Sequence, residues 1–167
     1  MAPNPGISQP VVHENFGRAI GVDLGDRRVG IALSNPDRTL ASPLDVIIRT
    51  GNLYRDIAKI VDEWEANVVV VGLPLSLDGT VRRAAKKALA EVEKMAATLQ
   101  VPVETYDERL TTISAERLMT DAGLDSRNQR KVVDKIAAAI MLQAWLDRQA
   151  HKYANPPDLA ENFPEDD

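Results

Sequence analysis

A chain of 167 residues and 18.3 kDa has room for one domain around a single core, which excludes multidomain machinery. Its 44% hydrophobic and 27% charged residues match a globular protein without a bilayer-spanning run, and the lack of cysteine excludes disulfides, thiolate metal sites and thiol nucleophiles. The net charge of −5 argues against an anionic partner until its distribution is read: residues 154–167 hold five acids and no base, leaving residues 1–153 balanced at 20 against 20.

Residues 1–15 read as a disordered Pro/Gly-rich leader, with neither the basic nor the apolar segment of a secretory signal, and a cytoplasmic location is expected. Residues 18–25 predict a strand, 25–28 a turn and 28–34 a second strand, together a hairpin. Asn35-Pro-Asp-Arg38 favours a turn, and residues 40–48 return as a third strand that Pro43 confines to an edge or bulge. Asn52 is placed to cap a helix through Ala66, with Leu53, Ile57, Ile60, Val61 and Trp64 at helical spacing.

Val68-Val-Val-Val71 is apolar without alternation, the pattern of a parallel strand covered on both faces. After a loop over 72–79, Thr80 starts a long helix whose stripe is Val81, Ala84, Ala85, Ala88, Val92, Met95 and Leu99. Residues 101–106 form a short strand. Thr111 or Thr112 caps a helix through Asp121, ended by Gly123, and residues 129–150 make the last helix before an acidic, disordered tail at 154–167. One domain over residues 16–153 follows, an α/β fold with a mixed sheet between helices and the first strand beside the buried fourth.

With no cysteine, and with His13 and His151 near the Pro-rich ends, catalysis would fall to carboxylates, hydroxyls, Lys and Arg. In open sheets of this kind, ligands collect at the carboxyl ends of the strands. Asp23 closes the first strand there, Asp107-Glu108-Arg109 follows the fifth, and Asp134 heads an apolar face of the last helix with Ala138, Met141 and Trp145. Each acid also has a plain structural role open to it: Asp23 in the hairpin turn, Glu108 pairing Arg109, Asp134 pairing Lys131 at i−3. Three converging carboxylates repel one another unless they hold a hard cation. Mg²⁺ or Mn²⁺ suits such a set, and a pair of these ions is the usual device for phosphodiester hydrolysis.

Gly21-Val-Asp23-Leu-Gly25 with Arg28-Val-Gly30-Ile-Ala32, Val69-Val-Val-Gly72-Leu-Pro74, Asp107-Glu108-Arg109-Leu-Thr111-Thr112 and Val133-Asp134-Lys-Ile-Ala137-Ala138 resemble the YqgF family, also called RuvX. The resemblance runs from about Arg18 to Trp145. It implies an RNase H-like fold of the RuvC-like branch with a mixed five-stranded sheet. It also implies a nuclease maturing the 5′ end of the small-subunit ribosomal RNA precursor, with some members described as Holliday junction resolvases. The family's catalytic and metal-binding acids fall by motif on Asp23, Glu108 and Asp134. In the related RuvC resolvases one acid comes from the fourth strand and two aspartates share the last helix. Here that strand ends Val71-Gly72-Leu73-Pro74 and position 137 is Ala, so Glu108 must substitute.

Arg82, Arg83, Lys86 and Lys87 open the second helix, where positive charge opposes the helix dipole, and so read as phosphate contacts rather than stabilisers. Arg127, Arg130, Lys131 and Lys135 flank Asp134 in the same way, and Arg109 is the candidate for gripping the scissile phosphate, with Thr111 and Thr112 beside it. Trp64 and Trp145 fall on apolar stripes, so recognition by backbone shape is expected, of structured RNA or branched DNA. A resolvase would also need a two-fold homodimer, with the 112–121 helix or residues 124–128 as candidate surfaces. Two rivals stand beside the nuclease. A sugar-kinase or actin-like phosphotransferase also begins with Asp-x-Gly and a hairpin but needs two such domains, and a non-catalytic RNA-binding scaffold could use the same fold.

Overall fold

The computed structural model describes residues 16–74, 82–107 and 126–154, with backbone alone for 126–130. Strands β1 (Arg18–Leu24), β2 (Arg28–Ser34), β3 (Ala41–Ile48), β4 (Ala66–Leu73) and β5 (Val103–Asp107) form one sheet in the order β3-β2-β1-β4-β5. The first three make an antiparallel meander, β4 lies parallel beside β1, and β5 lies parallel beside β4. This is the expected mixed five-stranded sheet, and the Val68–Val71 run is buried on both faces between β1 and β5.

Period-two alternation divides the strand residues between two helical layers. One face carries Ile20, Val22, Val29, Ile31, Val69 and Val71 against Leu53, Ile57 and Val61 of α1 (Leu53–Glu63) and Met95 of α2 (Arg83–Thr98). Full burial of such side chains stabilises by about 1.5–3 kcal/mol each. The other face carries smaller residues, Ala19, Ala32, Val68 and Val70, against Ala138, Met141, Leu142, Trp145 and Leu146 of α3 (Ser126–Ala154). Small residues let that helix settle almost on the backbone of the sheet. A Cβ at Gly21 would lie 2.9 Å from Leu142 Cβ and 3.2 Å from the Ala138 carbonyl oxygen.

Helix α3 is also held by polar contacts along its length. The Ala41 N–H donates to Gln143 Oε1 at 2.8 Å, Gln143 Nε2 donates to the Thr39 carbonyl at 3.0 Å, and Trp145 Nε1 donates to Glu104 at 3.1 Å.

Several boundaries differ from expectation for local reasons. Helix α1 stops at Glu63 because Glu65 turns into the left-handed region (φ 51°), so Ala66 opens β4 instead of ending the helix. Asn52 stands at the N-cap position without a side-chain cap bond; its carbonyl accepts from the Asp56 N–H at 2.9 Å. Ala84 is exposed and not part of the buried stripe of α2, which begins at Arg83 with Arg82 at its cap. Pro43 sits on the edge strand at a bulge, where Ile31 pairs with Asp45 and Ala32 with Pro43. Helix α3 runs past 129–150 at both ends, so residues 126–128 are helical, and His151 lies in its last turn. The leader, Thr80 and Val81, the 112–121 helix and residues 155–167 lie outside the described residues. No helix of the described residues is long and apolar enough to cross a membrane.

Candidate functional site

Asp23 is the penultimate residue of β1, at the carboxyl end that β1 shares with the parallel strands β4 and β5. Alternation sets it on the α3 face with Ala19 and Gly21, and its cross-strand partner is Gly30 of β2. Helix α3 descends onto that glycine. A Cβ at Gly30 would come within 2.6 Å of the Asp134 carbonyl carbon and 3.4 Å of its Cα. The missing side chain at position 30 is therefore what admits the helical turn bearing Asp134 to the strand position paired with Asp23. The backbone of Asp134 thus lies over the cross-strand partner of Asp23, on the face of the sheet that both residues share.

Asp134 is ion-paired, and with a different partner from the one spacing suggested. Arg28 Nε donates to Asp134 Oδ2 at 3.0 Å, with the two side chains 28% and 24% exposed, whereas Lys131 is exposed and makes no ion pair with it. Arg28 precedes Gly30 by two residues in β2 and so shares its face, but nothing in the strand period points to Asp134, 106 positions away. Gly25, Asp26, Arg27, Arg28 and Asp134 line an open depression of about 270 Å³.

Glu108, Arg109, Thr111 and Thr112 lie outside the described residues; β5 ends just before them at Asp107, opposite Leu73 of β4. Among the described residues no three histidine or acidic side chains cluster as a metal site would require. What they do contribute is a pair of carboxylate-bearing positions, oxygen donors suited to a hard cation.

Arg82, Arg83, Lys86 and Lys87 are all exposed, at the end of α2 that follows the carboxyl edge of β4. Lys87 Nζ approaches Asp26 Oδ1 at 3.7 Å with both side chains largely in solvent, a contact of little energetic weight. Lys131 is exposed and Lys135 half-buried on α3, while the side chains of Arg127 and Arg130 fall outside the described residues. Trp145 is buried and Trp64 half-buried with the Arg18 guanidinium over its ring at 5.6 Å, so neither offers a free stacking face.

The sequence reading missed Arg49, which braces the turn under the site. Its Nε donates to the Gly25 carbonyl at 2.6 Å, its Nη1 and Nη2 grip Glu91 of α2 at 2.5 and 3.0 Å, and its own N–H donates to the Arg27 carbonyl at 2.9 Å. The Arg49 hydrogen bond holds the Glu91 carboxyl below the usual carboxylate range, while burial and then the Glu91 charge push the Tyr54 hydroxyl up. The turn after Asp23 is thus tied to the helix that carries the basic cluster.

Comparison with known proteins gives matches over most of the chain. Residues 17–148 match the family RuvX, described as Holliday junction resolvase. A Mycobacterium ulcerans protein named "Putative pre-16S rRNA nuclease" is 43% identical over 136 residues, covering 80% of each chain. A Mycolicibacterium smegmatis protein of the same name is 40% identical over 151 residues, 87% of this chain and 86% of that one. One from Desulforamulus reducens is 38% identical over 136 residues, 80% and 98%. Among solved structures, Thermus thermophilus RuvC in complex with Holliday junction substrate superposes with a TM-score of 0.50 at 16% identity, covering 80% of this chain and 96% of that one, a likeness of fold.

Proposed function

The chain belongs to the RuvX family, and from that membership we propose that it is a metal-dependent endonuclease of structured nucleic acid, its substrate the 5′ end of the pre-16S ribosomal RNA. The observation that supports this reading is the seating of the Asp134 turn on Gly30, the cross-strand partner of Asp23, at the sheet edge where ligands of such folds collect. The substrate class comes from the names borne by relatives at about 40% identity. Work on a ribosomal precursor places the protein in the cytoplasm.

Asp23, Glu108 and Asp134 are the groups that would hold Mg²⁺ or Mn²⁺, an all-oxygen anionic set in a chain with no cysteine to favour softer metals. The bound ions would supply an activated water and charge stabilisation at the leaving oxygen. Glu104 and Tyr106 face α3 from β5, the strand that ends at Asp107 immediately before Glu108 in sequence. Arg109 can grip two phosphate oxygens, with Thr111 and Thr112 as hydroxyl donors beside it. The four bases of α2, with Arg130 and Lys131 of α3, follow the backbone on either side. A site that processes one strand end needs a single copy of the chain, whereas paired cuts in a four-way junction need a homodimer.

The test offers the purified protein a pre-16S precursor and a four-way DNA junction with Mn²⁺ and maps the cut ends. Cleavage at the mature RNA 5′ end is expected. Symmetric paired nicks in the junction alone would move the substrate to branched DNA. Binding of either without cleavage would favour the scaffold. Asp23→Asn, Glu108→Gln and Asp134→Asn should each lower cleavage by about 100-fold or more while leaving circular dichroism and nucleic-acid binding near wild type.

A further inference from the structure

Two arginines near the site hold carboxylates in different ways, and the contrast is informative. Arg49 meets Glu91 with two nitrogens and the Gly25 carbonyl with a third, which is how a fixed brace is built. Arg28 meets Asp134 through Nε alone, and its two terminal nitrogens have no partner among the described residues. Both members of that pair line the open depression of about 270 Å³, which has room for a phosphate group. Arg28 also shares the α3 face with Gly30, so its charge stands on the side of the sheet that carries Asp23 and receives Asp134.

We propose that Arg28 is an exchangeable counter-charge of the site. Its guanidinium and a divalent cation make competing claims on the Asp134 carboxylate, and the guanidinium displaced by the cation takes up a phosphate oxygen of the nucleic acid. This inference rests on the reading of Asp134 as a cation ligand. A monodentate, partly exposed pair is weak enough to yield to a divalent ion and strong enough to offset the repulsion between two adjacent carboxylates. A guanidinium whose terminal nitrogens have no partner among the described residues is in turn suited to a phosphate, whose oxygens it can take in pairs. The strand anchor keeps the exchange local, because only side-chain torsions of Arg28 need to change.

The experiment titrates Mn²⁺ into the full chain without nucleic acid and follows free Mn²⁺ by electron paramagnetic resonance, comparing wild type, Arg28→Gln, Arg28→Lys and Asp134→Asn. Arg28→Gln should tighten Mn²⁺ binding by about fivefold, which is roughly 1 kcal/mol at 1.4 kcal/mol per decade. Arg28→Lys, which keeps the charge, should stay close to wild type. In a Glu108→Gln background that binds RNA without cutting it, Arg28→Gln should weaken affinity with Mn²⁺ present and flatten its salt dependence by about one phosphate contact. Unchanged or weaker Mn²⁺ binding in a folded Arg28→Gln protein overturns the exchange and makes Arg28 a support that orients Asp134. If Asp134→Asn loses Mn²⁺ while Arg28→Gln gains nothing, this inference alone fails. If Asp134→Asn binds Mn²⁺ like wild type, the assignment of Asp134 as a ligand falls with it.

Discussion

Replacing Gly30 by alanine probes the contact on which the site is built. The new methyl carbon would sit 2.6 Å from the carbonyl carbon of Asp134 and 3.4 Å from its Cα, where comfortable contact begins near 3.4 Å and extends to 4 Å. The Asp134 carbonyl oxygen lies closer still; all three obstacles are backbone, so no side chain can swing aside, and α3 must retreat by about 1 Å at this turn. Overpacking of this kind costs about 1–3 kcal/mol, against which the stiffer unfolded chain of an alanine variant returns less than about 1 kcal/mol. For a chain of this length each kcal/mol lost lowers the melting temperature by roughly 2–4 °C. The same retreat shifts Asp134 relative to β1, and for the site proposed above a displacement of about 1 Å at the reacting centre lowers turnover by about 100-fold. Calorimetry and a cleavage assay on Gly30→Ala read the two effects separately, with Gly51→Ala, whose Cβ would meet nothing within 4 Å, as the neutral control. A Gly30→Ala protein with unchanged melting and full activity would refute the seating of α3 on β2.

Arg49→Met should destabilise by about 1 kcal/mol, since the partly exposed brace is screened by solvent. Glu91 has its folded-state pKa depressed chiefly by the Arg49 hydrogen bond, so its stabilisation is complete above the ordinary carboxylate range and is lost as pH falls through the depressed value. Thermal melts between pH 6 and pH 3, window limits set roughly by ordinary carboxylate values, should therefore slope less steeply for Arg49→Met than for wild type. An equal slope would remove Glu91 from the account. Converting Lys86 and Lys87 to Gln should reduce the slope of log affinity against log salt by about 0.7–0.9 for each true phosphate contact, measured by fluorescence anisotropy, with folding unaffected. An unaltered slope would leave these residues as a solvated helix face.

Much of the scaffold could be read directly because its signals are local. The unbroken valine run could only be a strand covered on both sides, and the Asp23 hairpin carries its own turn residues. Asp134 stood out because an acid at the head of the Ala138, Met141 and Trp145 face has no role in a core, and all three of those residues are buried. What escaped was set by contacts distant in sequence. Arg28 and Asp134 are 106 positions apart, and Arg49 reaches Glu91 across 42, so no helical or strand period links either pair. The early end of α1 depends on one backbone torsion at Glu65, a residue type that carries no left-handed preference. Ala84 was counted in an apolar stripe but is exposed beside the fully buried Ala85, because the covered face of α2 runs through Ala85, Ala88 and Met95.

The 29-residue helix α3 is one rod of roughly 43 Å, pinned near its middle where Gln143 reaches the Thr39 and Ala41 backbone. Asp134 stands about 13 Å up the shaft from that pivot, so a tilt of about 5° there sweeps the carboxylate through about 1 Å. The far arm of the lever ends at Tyr153, whose ring stacks on Phe16 with centroids 5.6 Å apart. One continuous helix therefore joins that ring pair to the turn that carries Asp134.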